Sequence, residues 1–579
     1  MQYSSEQRTC QSCHQGFVIE DEDFEFYKKI DVPPPTLCPD CRQQRRYAWR
    51  NERNLYRRKC DSCGKSTVTI YHPEAPYKVY CHTCWWGDAW NPKDFAMEVD
   101  PARPFFDQFK ELQSKVPRVA LLGKNSVNSE YTNHCADNKN VYLSFDTFYS
   151  ENSFYLSNCW APTKDSCDVN LSYSGGEFLY ECFHVERSFK CEFCILVEDS
   201  INCKYCFDCT NCQDCFLSWN LRNKKYCFLN EQLTKEEYEK ELQELDLGSY
   251  EERRKLYEKW TDIIREEAVH RYAQIVKSEN VSGDVIHNSR NVKNGYYIYD
   301  SDNVRYSVIA LAKDSMDMFS VGLGATDLVY ESHALTDASN VKFCHLSYEN
   351  AYIEYSDSCH NSQNLFGCIG LRKGEYCILN KQYSKEEYER KKGELIERMK
   401  TNGEYGEFFP ASLSPFGYNE THGDIYMPMK KEEALRRGFN WQDNVLITKG
   451  KGTLSPEEMP DNIKDVPDSI SKEALTCVSC ERNYNIISPE IEFYKRMNIP
   501  VPRLCPDCRY RRRISLRPPR KVWHRKCQCA GTKSENGVYT NTTKHQHGEG
   551  KCPNEFETSY APERKEIVYC EQCYQNEVV

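Results

Sequence analysis

The sequence predicts a mainly β, multidomain chain: two duplicated β-solenoids with coils of about twelve residues and helical caps, flanked at both termini by tandem zinc-ribbon or treble-clef units. Three observations carry that prediction. One cysteine cassette is written at each end of the chain, the middle repeats with a period of twelve, and both repeat arrays close on one phrase, NLRNKKYCFLNEQLTKEEYEKEL from Asn220 and GLRKGEYCILNKQYSKEEYERKK from Gly370.

Cys10, Cys13, Cys38, Cys41 and Cys60 recur as Cys477, Cys480, Cys505, Cys508 and Cys527, each 467 residues on, a register that marks two copies of one unit. Two thiols separated by two residues fit one tight turn and offer both sulfurs to one tetrahedral ion; a second such pair closes the shell. The front copy supplies two sets, Cys10/Cys13 with Cys38/Cys41 and Cys60/Cys63 with Cys81/Cys84. The back copy keeps the first as Cys477/Cys480 with Cys505/Cys508. Its second reads Cys527, Cys529, Cys570 and Cys573, with His545, His547 and Cys552 as additional candidates for a fifth metal or a His-substituted shell. Closed shells leave no position for water, so the expected cofactor is structural Zn2+, about four ions. Packed thiols or disulfides are the plainer alternative. Between the knuckles, the aromatic and β-branched residues of GFVIEDEDFEFYKKI predict a hairpin, and a short helix starts after Cys41.

From Arg42 to Lys59 eight basic residues accompany one acid, Glu52; from Arg509 to Lys526 there are nine and no acid. In a chain of net charge -11 such runs suit phosphate contacts. The expected nucleic-acid contacts are Arg42, Arg45, Arg46, Arg50, Arg57, Arg58, Arg509, Arg511, Arg512, Arg513, Arg520, Lys521 and Arg525, with Tyr47, Trp49, Tyr510 and Trp523 available to stack on bases. The competing reading pairs these cations with Asp21, Glu22 and Asp23 or with the acidic helices.

From about residue 135 the period is twelve, in Cys191, Cys203, Cys215 and Cys227, in Cys182, Cys194 and Cys206, and in Ile195, Phe207 and Trp219. It returns at Val329, Val341, Ile353, Leu365 and Cys377, preceded by Val292, Val304, Met316 and Leu328 one register earlier. A fixed long period means one coil per repeat, and twelve residues at roughly 3.3 Å give a perimeter of about 40 Å. Only slim side chains fit inside, so the inner cysteines, including the run at every third place from Cys203 to Cys215, read as reduced thiols ahead of disulfides or metal. Capping boxes at Thr234 and Ser384 start helices that run, with a break near Gly248, to about Lys277, and to about Lys400. Those helices cover the open strand edges.

The expected order is therefore a tandem zinc unit at 1–90, a docking segment at 91–130 with an amphipathic helix over Phe105–Leu112, solenoids at 131–230 and 283–380, a helical segment at 231–282, a capping helix at 381–400, a linker at 401–475 with one short helix at Lys431–Arg437, and the second zinc unit at 476–579. No apolar run spans a bilayer and no basic-then-apolar leader opens the chain, so a cytoplasmic protein without a membrane partner is expected. There the 33 cysteines read as ligands and packed thiols. Phosphate-loop, HExxH and GxSxG motifs are missing, and His134, His184 and His422 stand alone, which argues against an enzyme.

The phrases FYKKIDVPPPTLCPDCR, WRNERNLYRRKCDSCG and YAPERKEIVYCEQCY resemble a large family of uncharacterised Cys-rich proteins from candidate-phyla bacteria with reduced genomes, along the whole chain. The resemblance implies zinc-ribbon or treble-clef end units and a cytosolic setting, and brings no activity. Three functional expectations follow. The first is a non-catalytic zinc-binding scaffold whose basic knuckles bind RNA, with the ribosome as one setting, or DNA. The second is a protein-protein interaction scaffold using the solenoid surface, with zinc purely structural. The weakest is a β-helix carbohydrate-active enzyme.

Overall fold

The computed structural model describes residues 4–322, 324–445, 448–531, 541–548 and 550–579, and they fall into two compact units. The first joins Met1–Leu121, Ala273–Val445 and Arg520–Val522; the second joins Leu122–Tyr272, Leu446–Pro519 and Trp523–Val579. Each unit thus combines one terminal cassette with one repeat array. The front cassette goes with the later array and the back cassette with the earlier one.

In both arrays the chain pairs with itself in parallel. In the second unit Phe183 pairs with Ile195, Ile195 with Phe207 and Phe207 with Trp219, an advance of twelve each time. In the first, Val341, Ile353, Leu365 and Cys377 stand in one line. Elsewhere the rung length changes. Val304 pairs with Ser315 and Met316 with Tyr330, steps of eleven and fourteen, so the expected alignment of Val304 with Met316 and Leu328 is lost.

The backbone explains the cysteines at every third place. Left-handed φ recurs with that spacing, at Phe193, Leu196, Asp199, Asn202, Tyr205, Asp208, Asn211 and Asp214 among many others. Each such residue is a corner, so a twelve-residue rung carries four inward side chains; Cys203, Cys206, Cys209 and Cys212 fill one rung and are buried. Asn and Asp tolerate this conformation best among residues with a side chain. They also stack: Asn140 Nδ2 donates to Asn152 Oδ1 at 2.9 Å. The inward thiols are free, and Cys206 donates to the Lys204 carbonyl at 3.5 Å. Inward serines do more, because Ser144 Oγ donates to the Tyr142 carbonyl and accepts the Leu156 N–H of the next rung. The buried Ser144 hydroxyl is thereby satisfied both as donor and as acceptor.

The helices that follow the arrays start where expected, but the first helical segment ends at Glu266 instead of near Lys277, and strands Val269–Arg271 and Ile275–Val276 follow it. Thr234 accepts the Glu237 N–H and Glu237 accepts that of Thr234, opening Lys235–Gln243; Tyr250–Glu266 follows after the break. Ser384 accepts the Glu387 N–H and opens Lys385–Thr401. Buried Tyr238 and Tyr388 pack on Tyr226 and Tyr376 of the last parallel strands. The docking helix, Phe105–Lys115, buries Phe105, Phe109 and Leu112 in the core of the first unit. The short helix near Lys431 runs to Arg436.

Two expectations are corrected. Strands Glu6–Thr9 and Gly16–Ile19 do form a hairpin, but Asp21–Lys29 is a helix. Three acids load its first turn, favourable at the positive end of a helix, and the Glu20 N–H donates to Asp23 Oδ2. The segment 401–475 is packed rather than a linker. Phe409 stacks between Trp49 and Phe109 at 4.8 and 4.7 Å, and Ile463, Val466 and Ile470 are buried in the second unit. Its proline and glycine residues prevent long helices without leaving the aromatic residues in water. Among the described residues no helix is long and apolar enough to cross a membrane.

Candidate metal centres

Four times the chain builds the same local frame. A first cysteine leads, within a CxxC knuckle in all but the last case, and a later cysteine (Cys38, Cys81, Cys505 or Cys570) caps a helix whose first turn carries the last candidate ligand, Cys41, Cys84, Cys508 or Cys573. The capping residue's own N–H points back at the first sulfur. Cys38 N donates to Cys10 Sγ at 3.3 Å; Cys81, Cys505 and Cys570 donate to Cys60, Cys477 and Cys527 at 3.2 Å each. An amide donor and a helix N-terminus both favour thiolate over thiol. Burial pushes the Cys10 and Cys60 thiols up, but the backbone amides more than offset it and leave each at about 7. A hydrogen bond from Cys505, with backbone amides, brings Cys477 down to about 4.

Among the described residues, five groups of four donors could hold a metal ion: Cys10/Cys13/Cys38/Cys41, Cys60/Cys63/Cys81/Cys84, Cys477/Cys480/Cys505/Cys508, Cys527/Cys552/Cys570/Cys573 and Cys529/His545/His547/Cys573. Four thiolates around zinc at about 2.3 Å require tetrahedral edges of about 3.8 Å. The equivalent edges Cys13–Cys38, Cys63–Cys81, Cys480–Cys505 and Cys552–Cys570 measure 3.8, 4.0, 3.7 and 3.9 Å. The first three groups bring together the cysteines that the spacing grouped as expected ligands. In the fourth, Cys552 takes the place expected for Cys529, because one residue between Cys527 and Cys529 is too few to close a knuckle turn. Cys529 belongs instead to the fifth group, with both histidines.

The helix that each first metal group anchors carries the arginines, and here the sequence expectation is overturned. Arg42, Arg45 and Arg46 lie on one face of the helix Pro39–Tyr47. Arg42 Nε and Arg46 Nη2 donate to the two oxygens of Asp317 at 2.8 and 3.1 Å, and Arg45 bridges Glu331 and Glu407 at 2.7 and 2.9 Å. The equivalent helix Pro506–Ser515 repeats the pattern. Arg509 and Arg513 hold Asp168 at 2.8 and 2.9 Å, and Arg512 and Arg513 hold Glu181 at 2.9 and 3.0 Å. Asp168, Glu181, Asp317 and Glu331 are corner residues of the arrays with left-handed φ, and all four are buried.

Of the residues expected to contact nucleic acid, Arg42, Arg45, Arg46, Arg50, Arg509 and Arg513 are therefore buried, and Arg50 pairs with Glu52. A side chain enclosed against a carboxylate cannot reach a phosphate. Tyr47, Trp49 and Tyr510 are buried too and offer no face to a base, whereas Trp523 is half-buried. Arg512 is partly exposed and sits over Tyr257; Arg520 is half-buried, bonds Tyr47 Oη at 2.8 Å and covers Tyr426. Arg58 bonds Asp61 at 3.1 Å, and Arg525 bonds Gln528 at 3.0 Å. Arg57, Arg511 and Lys521 remain exposed.

The four receiving carboxylates carry a signal in the sequence that no local motif supplies. Asp168 to Asp317 and Glu181 to Glu331 are 149 and 150 residues apart, matching the duplication of the arrays, as Arg42 to Arg509 matches that of the cassettes. His422 bonds Glu52 at 2.8 Å and is buried, a structural role. The chain matches no family model, no curated protein and no solved structure.

Proposed function

We propose that this chain is a zinc-stapled, non-catalytic scaffold of the cytoplasm: two β-solenoids, each clamped by treble-clef cassettes, whose outer faces dock a protein partner. The zinc is purely structural. One observation carries this reading above the nucleic-acid one: both arginine helices turn inward onto buried carboxylates of the arrays. The hairpin, knuckle and ligand-capped helix are the parts of a treble clef, and parallel pairing every twelve residues with four corners per turn is the plan of a narrow solenoid. Free thiols throughout suit a reducing compartment.

The test is a titration of labelled single-stranded RNA into the zinc-loaded protein across a range of salt. Only weak binding is expected, and it should not distinguish the protein from its Arg511→Glu/Lys521→Glu variant. Tight, salt-sensitive binding lost in that variant would restore the nucleic-acid reading.

A further inference from the structure

The fourth and fifth donor groups are not separate. Both contain Cys573, and the described residues around them offer seven donors, five thiols and two imidazoles. Two complete tetrahedra need eight positions. A single sulfur counted twice closes both shells, and a thiolate, with more than one lone pair, can bridge two cations.

We propose that the last cassette holds a two-ion centre bridged by the Cys573 thiolate, giving five zinc ions per chain. The proposal rests on the zinc reading above. Cys529 Sγ lies 3.3 Å from both His545 Nδ1 and His547 Nε2, and Cys573 Sγ is 3.3 Å from that same His547 nitrogen. With zinc–sulfur and zinc–nitrogen bonds of about 2.3 and 2.0 Å, a tetrahedral edge of about 3.5 Å is expected, close to these values. The remote nitrogens are engaged as those of metal-bound histidines are. His545 Nε2 pairs with the buried Glu577 carboxylate at 2.9 Å, and His547 Nδ1 faces the Gly550 carbonyl at 2.7 Å. Such partners fix which nitrogen is left for the ion. Asn541 and Asn554 direct side-chain amides at Cys529 and Cys570 Sγ, at 3.2 and 3.3 Å.

Charge suits a second ion: five thiolates with two zinc ions carry a net charge of only -1, whereas with one ion Cys529 would stay a neutral thiol beside two unused imidazoles. The two cassettes differ in length at this place. Cys60 to Cys527 keeps the 467-residue offset, but Cys81 to Cys570 and Cys84 to Cys573 are 489 apart, so the back copy is 22 residues longer between these positions. That longer stretch carries the two histidines and Cys552, while the place of Cys63 is taken by Ala530.

Native mass spectrometry of the full zinc-loaded chain should count five ions. His547→Ala should leave four, because the all-cysteine group keeps its ligands, and Cys573→Ser should leave three. With cadmium-113 in place of zinc, the unmodified protein should show five resonances, one set apart by its two nitrogen ligands and split by coupling to a second cadmium through the shared sulfur. That spectrum needs no variant to fold. Four ions, unchanged in His547→Ala, would overturn the two-ion centre while leaving structural zinc standing; so would five uncoupled resonances, which remove the bridge. A folded chain without bound metal would overturn both.

Discussion

The two units are one design built with different interiors. Inward positions of the arrays 150 residues apart compare as Cys191 with Val341, Cys203 with Ile353, Cys206 with Ser356, Cys215 with Leu365 and Cys182 with Ser332, while Cys194 and Cys209 keep cysteine as Cys344 and Cys359. The clamps differ far less. Asp168 and Asp317 each receive two arginines, and Glu181 and Glu331 each receive the arginine three positions along the helix. Interior identity is therefore free to vary within a size limit, and the buried ion cluster is not. Cysteine in the arrays acts as a small apolar residue; a metal role for the ladder would not survive the exchange of Cys191, Cys203 and Cys215 for Val, Ile and Leu.

The comparison breaks most completely on metal removal. Structural zinc contributes on the order of 10 kcal/mol per site to folding small units, so a chelator should unfold the cassettes of both units, the second more severely because it holds three of the five donor groups. Calorimetry with and without chelator measures this. Next in size, Arg46→Met and Arg513→Met each leave a buried aspartate short of a partner and should cost about 3–5 kcal/mol, by similar amounts in the two units. Chemical denaturation followed by a probe in each unit checks the symmetry.

These clamps also mark the boundary of what the sequence could tell. Ligand spacing is local, so three of the metal groups could be named from CxxC pairs alone, and the twelve-residue period gave the parallel register around Ile195 and Ile353. Arg42 and Asp317 are 275 residues apart; no spacing rule links them, and a run of arginines reads the same whether it faces water or a carboxylate. Cys552 has no counterpart in the front copy, because the extra residues that carry it break the register of the copies. At Asp21–Lys29 aromatic residues suggested a strand, but the acidic first turn and the buried Phe26/Tyr27 pair decided for a helix.

A smaller effect separates the units by pH. His360, buried in the first unit, stacks on Tyr348 and meets the edge of Trp85; its counterpart in the second is Thr210. Burial, aided by the Arg372 charge and only partly countered by Asp357, lowers its pKa to about 3. Below an unfolded value of about 6.5 the unfolded chain takes up a proton that the folded one refuses, so stability contributed at neutral pH is lost progressively as pH falls toward 3. At pH 5 that loss is about 2 kcal/mol. His360→Phe should raise the stability of the first unit relative to the unmodified chain at pH 5 more than at pH 8, with no matching change in the second unit.

The smallest effect expected is that of Cys206→Ser. Ser356 occupies the equivalent place and donates to the Glu354 carbonyl as Cys206 does to that of Lys204. The substitution should therefore cost below about 1.5 kcal/mol, measurable as a small shift of the denaturation midpoint.

Hydrogen–deuterium exchange before and after chelation tests most directly whether metal, helix and array form one device. If the ions hold the arginine helices against the arrays, stripping them will expose the backbone amides flanking Asp168, Glu181, Asp317 and Glu331 to exchange, although none of these residues binds metal. Protection unchanged at those four places after the ions are gone would contradict the account.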